Sequence, residues 1–135
     1  GITGETVRIA SDLTVARFGL RAVAGRFVFS AARMGEGGHP TVWTTDGTAA
    51  GTRPLIETES SSVPPEVASS FAGKLLLTGG NRVWVTDGTP AGTSVLIEIE
   101  SPFASAYPPS VAGDRAFFPF DTPETGNELW ALRPD

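Results

Sequence analysis

Carboxylates are the residues of this chain whose type and spacing come closest to metal chemistry. Asp46 and Asp87 each begin an Asp-Gly-Thr segment, and an aspartate near a glycine in a loop is a feature of calcium sites. A calcium site takes several carboxylates at defined spacing, whereas each of these segments offers one. We therefore interpret both aspartates as turn residues whose carboxylates accept hydrogen bonds from backbone N–H groups ahead of them.

Acid–base catalysis would depend on His39, which is the only histidine of the chain. It lies in a Gly-Gly-His-Pro loop, where Glu36 is the one neighbouring carboxylate, and we interpret it as an exposed loop residue. The sequence has no Gly-x-Ser-x-Gly segment and no set of acid, base and nucleophile that converges on one place. It therefore predicts a protein that is not an enzyme and that uses no metal and no cofactor.

The segments that carry the two aspartates are copies of one another. Residues 42–52 read VWTTDGTAAGT, and residues 83–93 read VWVTDGTPAGT. In such a turn the aspartate accepts backbone hydrogen bonds and the glycine takes a positive φ without steric cost. The predicted structural turn residues are Asp46, Gly47, Thr48, Asp87, Gly88 and Thr89.

Each copy belongs to a longer repeated unit. An Ala-Gly pair occurs at residues 24–25, 72–73 and 112–113, and an apolar run that predicts a strand follows each pair. A loop of variable length comes next, then a strand centred on Trp43, Trp84 or Trp130, and in two units the Asp-Gly-Thr turn and a further strand. A short strand is also predicted before each Ala-Gly pair, around LRAV, EVASS and PPSV. A full unit thus has four strands, lettered A to D in chain order, and the fold class is all-β.

The third unit lacks strand D at its own end, and the N-terminus supplies a matching sequence. Residues 4–9 align without a gap on residues 92–97. We therefore predict a single repeat domain over residues 1–135. Repeat 1 covers about residues 14–58, repeat 2 about 59–100, and repeat 3 about 101–135, completed by an N-terminal strand at 5–12.

The repeated motifs resemble a known family. VWTTDGT, VWVTDGT and NELW are similar to the ELWxxDGT repeat, which occurs in tandem in bacterial surface and secreted proteins and is generally interpreted as a β-propeller blade. The resemblance covers essentially the whole chain, although Glu-Leu precedes the tryptophan only at Glu128-Leu129. It implies a scaffold and an extracellular or cell-surface bacterial setting, and it implies no particular chemistry.

The apolar runs are continuous, which indicates that both faces of each small sheet are buried and that each unit needs neighbours. Three blades do not close a propeller, because propellers have four blades or more. We therefore predict a homodimer that forms a six-bladed ring, in which residues 5–12 of each chain complete the third blade of the other. The alternatives are a nine-bladed trimer and a monomeric β-trefoil.

Charge and composition restrict the partners. The net charge of -5 arises from ten basic and fifteen acidic residues that are scattered along the chain, which argues against nucleic acid. No apolar run approaches the length of a membrane span, and the chain has no cysteine. The expected partner is a second copy of the chain, with a glycan or another protein as further candidates.

The variable loops are where we predict recognition, because the turns on the opposite side are nearly identical between units. The tryptophans at equivalent strand positions are predicted as core: Trp43, Trp84 and Trp130. The candidate ligand-binding residues in the loops are Glu36, His39, Asn81, Phe103, Tyr107, Glu124 and Asn127. The leading functional hypothesis is a non-catalytic structural or interaction scaffold, and the alternatives are a carbohydrate-binding module on the loop face and a propeller enzyme.

Overall fold

β-strands are the regular elements of this protein. A computed structural model describes residues 4, 6–15, 20–35, 40–56, 65–101 and 103–134, and within these ranges it contains strands and no helix. The predicted all-β class is therefore confirmed. No segment in these ranges is a helix able to span a membrane.

The strands form three antiparallel sheets, numbered here in chain order. Sheet 1 contains β1 (Leu13–Val15), β2 (Arg21–Val23), β3 (Arg26–Arg33), β4 (Thr41–Thr45) and β5 (Arg53–Pro54). Sheet 2 contains β6 (Glu66–Phe71), β7 (Lys74–Gly79), β8 (Arg82–Thr86) and β9 (Ser94–Glu98). Sheet 3 contains β10 (Ser105–Ala106), β11 (Ser110–Ala112), β12 (Arg115–Thr122) and β13 (Gly126–Leu132).

Sheet 2 has the simplest topology, with the order β6-β7-β8-β9. In sheets 1 and 3 the position of β6 is taken by two short strands, β1 with β2 and β10 with β11, that pair with the same edge of the next strand. β2 and β11 agree with the short strands predicted before the Ala-Gly pairs, whereas β1 and β10 were not predicted. Two prolines at 108–109 explain the interruption in sheet 3, because proline has no N–H to donate to the ladder.

The first hairpin of each sheet shows a shift in the repeat. Ala24 and Gly25 have φ values of 47° and 76°, and residues 72–73 have 51° and 76°, which makes both turns type I′. In sheet 3, β11 extends through Ala112, and the turn is formed by Gly113, with φ 60°, and Asp114. The Ala-Gly pair of the third unit is therefore displaced by one residue from the predicted alignment. Since side chains alternate along a strand, each side chain of β12 lies on the opposite face from the one that the Ala-Gly alignment predicted.

The tryptophans give the correct alignment of the three sheets. Trp43 lies opposite Phe29, Trp84 opposite Leu77, and Trp130 opposite Phe118. Residues directly opposite on neighbouring strands share a face of the sheet. Each tryptophan thus occupies the same place and the same face in its sheet.

Sheet 2 lies between the other two sheets and is buried on both faces. One apolar cluster joins sheet 1 to sheet 2 and includes Val28, Val42, Leu75, Leu77 and Trp84. A second cluster joins sheet 2 to sheet 3 and includes Leu76, Val83, Ala116, Phe118 and Phe120. Several of these side chains are fully buried. Packing the sheets face to face removes their apolar surfaces from water.

The N-terminal segment does not form the predicted strand at 5–12 within the single chain. Residues 6–10 have no regular structure, residues 11–12 form a bend, and Glu5 lies outside the described residues. Asp12 is fixed to sheet 1, since its carbonyl accepts a 2.8 Å hydrogen bond from the N–H of Met34 and its carboxylate lies 3.6 Å from Arg33. The strand predicted to pair with residues 5–12 belongs to another copy, which gives the segment no ladder to join here.

Candidate functional site

The two Asp-Gly-Thr turns have the same hydrogen-bond network. Oδ1 of Asp46 accepts from the N–H of Thr48 at 2.9 Å and from its hydroxyl at 2.6 Å, and the Asp87 turn repeats these contacts at 2.8 and 2.6 Å. The hydroxyl of Thr48 also accepts from the N–H of Gly51, and the hydroxyl of Thr52 donates to the carbonyl of Thr48. The carboxylates therefore serve their own turns.

These contacts affect the charge of the turn. The threonine hydroxyl and then its N–H hold the pKa of Asp46 and of Asp87 below the ordinary value, because both donors stabilise the ionised carboxylate. In the part of the chain that the structure describes, no group of three or more metal-binding side chains comes together. The hydrogen bonds that these carboxylates accept from threonine stay within their own turns.

The predicted loop residues lie at several separate places. Nδ2 of Asn81 donates a 2.6 Å hydrogen bond to the carbonyl of Ile99, so this side chain binds the main chain that follows β9. Phe103 and Tyr107 are exposed, with 77% and 48% of their surface accessible. Asn127 is exposed as the second residue of β13. Glu36 and His39 lie outside the described residues.

Glu124 borders a cleft of about 520 Å³ between the chain after β9 and the end of sheet 3. The cleft is lined by Ile99, Glu100, Ser101, Thr122, Glu124, Thr125, Glu128 and Trp130. Glu128 is held there by the hydroxyl of Thr125 at 2.5 Å and by the indole N–H of Trp130 at 3.1 Å. These two donors lower the pKa of Glu128. The cleft combines acceptor oxygens with an aromatic ring.

Trp130 differs from the prediction that all three tryptophans are core. Trp43 and Trp84 are buried, whereas 41% of Trp130 is exposed. β4 pairs with β5 and β8 with β9, but β13 pairs, within the described residues, with β12 alone. The side of Trp130 that a fourth strand would cover is therefore open.

The largest difference between the sheets is on the face of sheet 3 that points away from sheet 2. Leu129, which precedes Trp130, is 70% exposed, whereas Val42 and Val83 hold the same place before Trp43 and Trp84 and are 0% exposed. We call this surface the outer face of sheet 3, formed by Phe117, Pro119, Leu129 and Ala131. Three of the four are exposed and Phe117 is half-buried.

The continuous apolar runs predicted that both faces of each sheet are buried by neighbouring units, and within the single chain the outer face of sheet 3 has no such neighbour among the described residues. The turn at Gly113-Asp114, one residue later than the Ala-Gly pattern predicts, places Phe118 on the face of Trp130 and Phe117 on the outer face with Leu129. Sheet 2 has both faces covered, and sheet 3 has one face open.

The face of sheet 1 that points away from sheet 2 is also apolar. Phe29, Ala31 and Trp43 form a cluster there with Leu13. The guanidinium of Arg33 lies 5.2 Å from the centre of the Trp43 ring. Nε1 of Trp43 is buried and has no hydrogen-bond partner in the described part of the chain.

Comparisons of this chain with protein-family models, with curated proteins and with solved structures give no match. Its function is therefore inferred from the geometry of the uncovered face and edge of sheet 3, and of the cleft beside them.

Proposed function

We propose that this chain is a non-catalytic scaffold whose three sheets act as propeller blades, and that two copies form a six-bladed ring. The observation that carries the proposal is the exposure of Leu129, set against the complete burial of Val42 and Val83 at the same place in the other two sheets. An apolar residue that is buried by the next sheet in two units calls for a next sheet in the third.

The order of the sheets indicates which surface covers Leu129. Trp84 packs against sheet 1, and Trp130 contacts Phe120 with the ring centres 6.0 Å apart, on the side of sheet 3 that faces sheet 2. Each of these tryptophans faces the preceding sheet. Trp43 therefore faces the position of a sheet that would precede sheet 1. The outer face of sheet 3 in one copy fits this position in the other copy.

Two features of the strand edge and of the N-terminus support the same arrangement. The free edge of β13 presents backbone donors and acceptors that would pair with an added strand. The N-terminal residues 6–10 are the strand that the repeat alignment offers, and 71% of Val7 is exposed in the single chain.

The mass in solution tests this proposal. We expect light scattering to give twice the 14.1 kDa of one chain. Leu129→Lys should reduce the mass to that of one chain and leave the far-ultraviolet circular dichroism unchanged, because it places a charge in the interface and not in a core. Phe103→Lys is the matched control, since Phe103 is similarly exposed but is not one of the residues that form this face. A wild-type mass of one chain at every concentration would reject the ring, and a mass of three chains would favour nine blades.

A second candidate function, carbohydrate binding, is supported by the cleft. The exposed ring of Trp130 lies beside Glu128, and Glu100 and Glu124 line the same cleft, so an aromatic surface and hydrogen-bond acceptors occur together. A glycan array with the wild type and with Trp130→Ala tests this function. Binding that the substitution abolishes would support it, and an array without any bound glycan would eliminate it.

A further inference from the structure

Two asparagines have the same spacing from the tryptophans of sheets 2 and 3, Asn81 in the turn between β7 and β8 and Asn127 as the second residue of β13. Asn81 precedes Trp84 by three residues, and Asn127 precedes Trp130 by three residues. Asn81 holds one residue by two bonds. Its side-chain Nδ2 donates a hydrogen bond of 2.6 Å to the carbonyl of Ile99. Its main-chain carbonyl accepts a hydrogen bond of 3.0 Å from the N–H of Ile99. We call this pair of bonds the asparagine clamp.

The clamp holds the end of β9, the fourth strand of sheet 2, in place. β9 ends at Glu98, and Ile99 is the next residue, so the clamp determines where the chain leaves sheet 2. Because both polar groups of the Ile99 backbone are used, a slip of the strand by one residue would break both bonds. The clamp therefore sets the register of the fourth strand.

Asn127 has the same spacing from its tryptophan, but its side chain holds no residue of the described ranges. It is exposed, and no hydrogen bond joins its side chain to another residue of the described ranges. The carbonyl that would complete a clamp belongs to the unpaired edge of β13. Sheet 1 shows that carbonyls at this register point toward the fourth strand. There the carbonyl of Val42, two residues after the position that corresponds to Asn127, accepts a hydrogen bond from the N–H of Leu55.

The repeat alignment identifies the residue that fits Asn127. Gly4, Val7 and Ile9 coincide with Gly92, Val95 and Ile97, and two further steps place Ser11 on Ile99. Asp12, the next residue, is fixed to sheet 1 of its own chain through Met34 and Arg33. Ser11 is thus the last residue that is able to leave for a neighbouring copy without breaking those contacts.

We propose that Asn127 clamps Ser11 of a second copy, with Nδ2 donating to the carbonyl of Ser11 and the N–H of Ser11 donating to the carbonyl of Asn127. This inference rests on the proposed ring and adds the residue that sets the register of the exchanged strand. The contact uses the backbone of residue 11, so a serine there serves as well as the isoleucine at 99. It also assigns Asn127 to assembly rather than to ligand binding.

Engineered disulfides test the contact directly, because the chain has no cysteine of its own. The full-length S11C chain is mixed with the full-length N127C chain and oxidised, and the joined peptides are identified by mass spectrometry. We expect a disulfide between positions 11 and 127, since residues paired across antiparallel strands lie within disulfide reach. S11C mixed with F103C is the control and should stay unjoined. The N81C/I99C double variant is the positive reference and should form the bond within one chain.

The affinity of the two copies gives a second measure. Asn127→Ala should raise the dissociation constant of the dimer roughly 30-fold, because the two-fold ring contains two clamps and each loses one hydrogen bond. Asn127→Ala should not change the stability of the isolated chain, because Asn127 is exposed and unbonded there. A two-chain mass with no 11–127 disulfide and an unchanged dissociation constant would overturn the clamp and leave the ring intact. A one-chain mass for the wild type would overturn the ring itself.

Discussion

The hydroxyl of Thr44 donates a 2.7 Å hydrogen bond to the carbonyl oxygen of Gly88, and this bond joins β4 of sheet 1 to the Asp-Gly-Thr turn of sheet 2. Gly88 has φ 91°, and a Cβ there would lie 3.1 Å from the side chain of Val23. The turn of sheet 2 is therefore seated against sheet 1 as well as joining two strands. The corresponding turn of sheet 1, at Asp46, is exposed.

Replacing Thr44 by the isosteric valine should destabilise the chain by about 1–2 kcal/mol. Thr44 is fully buried, and the substitution leaves the carbonyl of Gly88 without its partner. Urea denaturation followed by circular dichroism measures the change. Thr14→Val, at an exposed position of β1, is the control and should change stability by less than about 0.5 kcal/mol. Equal stability of the two variants would show that the bond between the sheets contributes nothing.

Gly92→Ala should destabilise the chain by about 1–3 kcal/mol, because the new methyl group would overlap the carboxylate of Asp87. That carboxylate would have to leave the N–H and the hydroxyl of Thr89. Gly4→Ala is the matched control when both substitutions are made in the Leu129→Lys chain, since nothing lies within 4 Å of a Cβ at that position of the single chain. Thermal unfolding of the two variants checks this prediction, and an unchanged Tm for Gly92→Ala would contradict it.

Ala24→Asn should stabilise the chain by roughly 0.5–1 kcal/mol, because asparagine tolerates a positive φ better than alanine does at this position of a type I′ turn. The control is Ala112→Asn. The repeat pattern makes positions 24 and 112 look equivalent, but Ala112 lies on β11 and not in the turn. No gain is expected there. A gain at both positions would mean that the third hairpin has the same register as the first.

These hairpins show what the sequence was able to predict and what it was not. The strands around Trp43, Trp84 and Trp130 were predicted because long apolar runs between turn residues leave few alternatives. The register at Gly113 was not, because Ala-Gly-Asp permits a turn at Ala-Gly or at Gly-Asp, and only the pairing of β12 with β13 decides between them. A local motif does not contain that long-range information.

The candidate site was harder to predict for the same reason. Glu124 was selected from its loop, and it does line the cleft, but Glu100 and Glu128 join it only through the packing of sheet 3 beside the chain after β9. Leu129 was predicted only as part of the strand that carries Trp130. Its exposure depends on which sheet follows and on which strand pairs with β13, and neither is encoded in the residues around it.

The stability of the chain should fall in acid in a way that depends on Asp46 and Asp87. Their pKa values are lower in the folded chain than in the unfolded chain, because the threonine hydroxyl and N–H donors exist only in the folded turn. A lowered folded pKa gives stability that is fully present above the unfolded pKa of about 4 and is lost as the pH falls through the folded value.

The double variant Asp46→Asn, Asp87→Asn keeps an acceptor oxygen at both turns, but these two side chains no longer titrate. Between pH 6 and pH 3 the urea midpoint should therefore fall further for the wild type than for the double variant, which retains the acid dependence of other groups such as Glu128. An equal fall in both proteins would show that the turn carboxylates are not the source of the acid sensitivity.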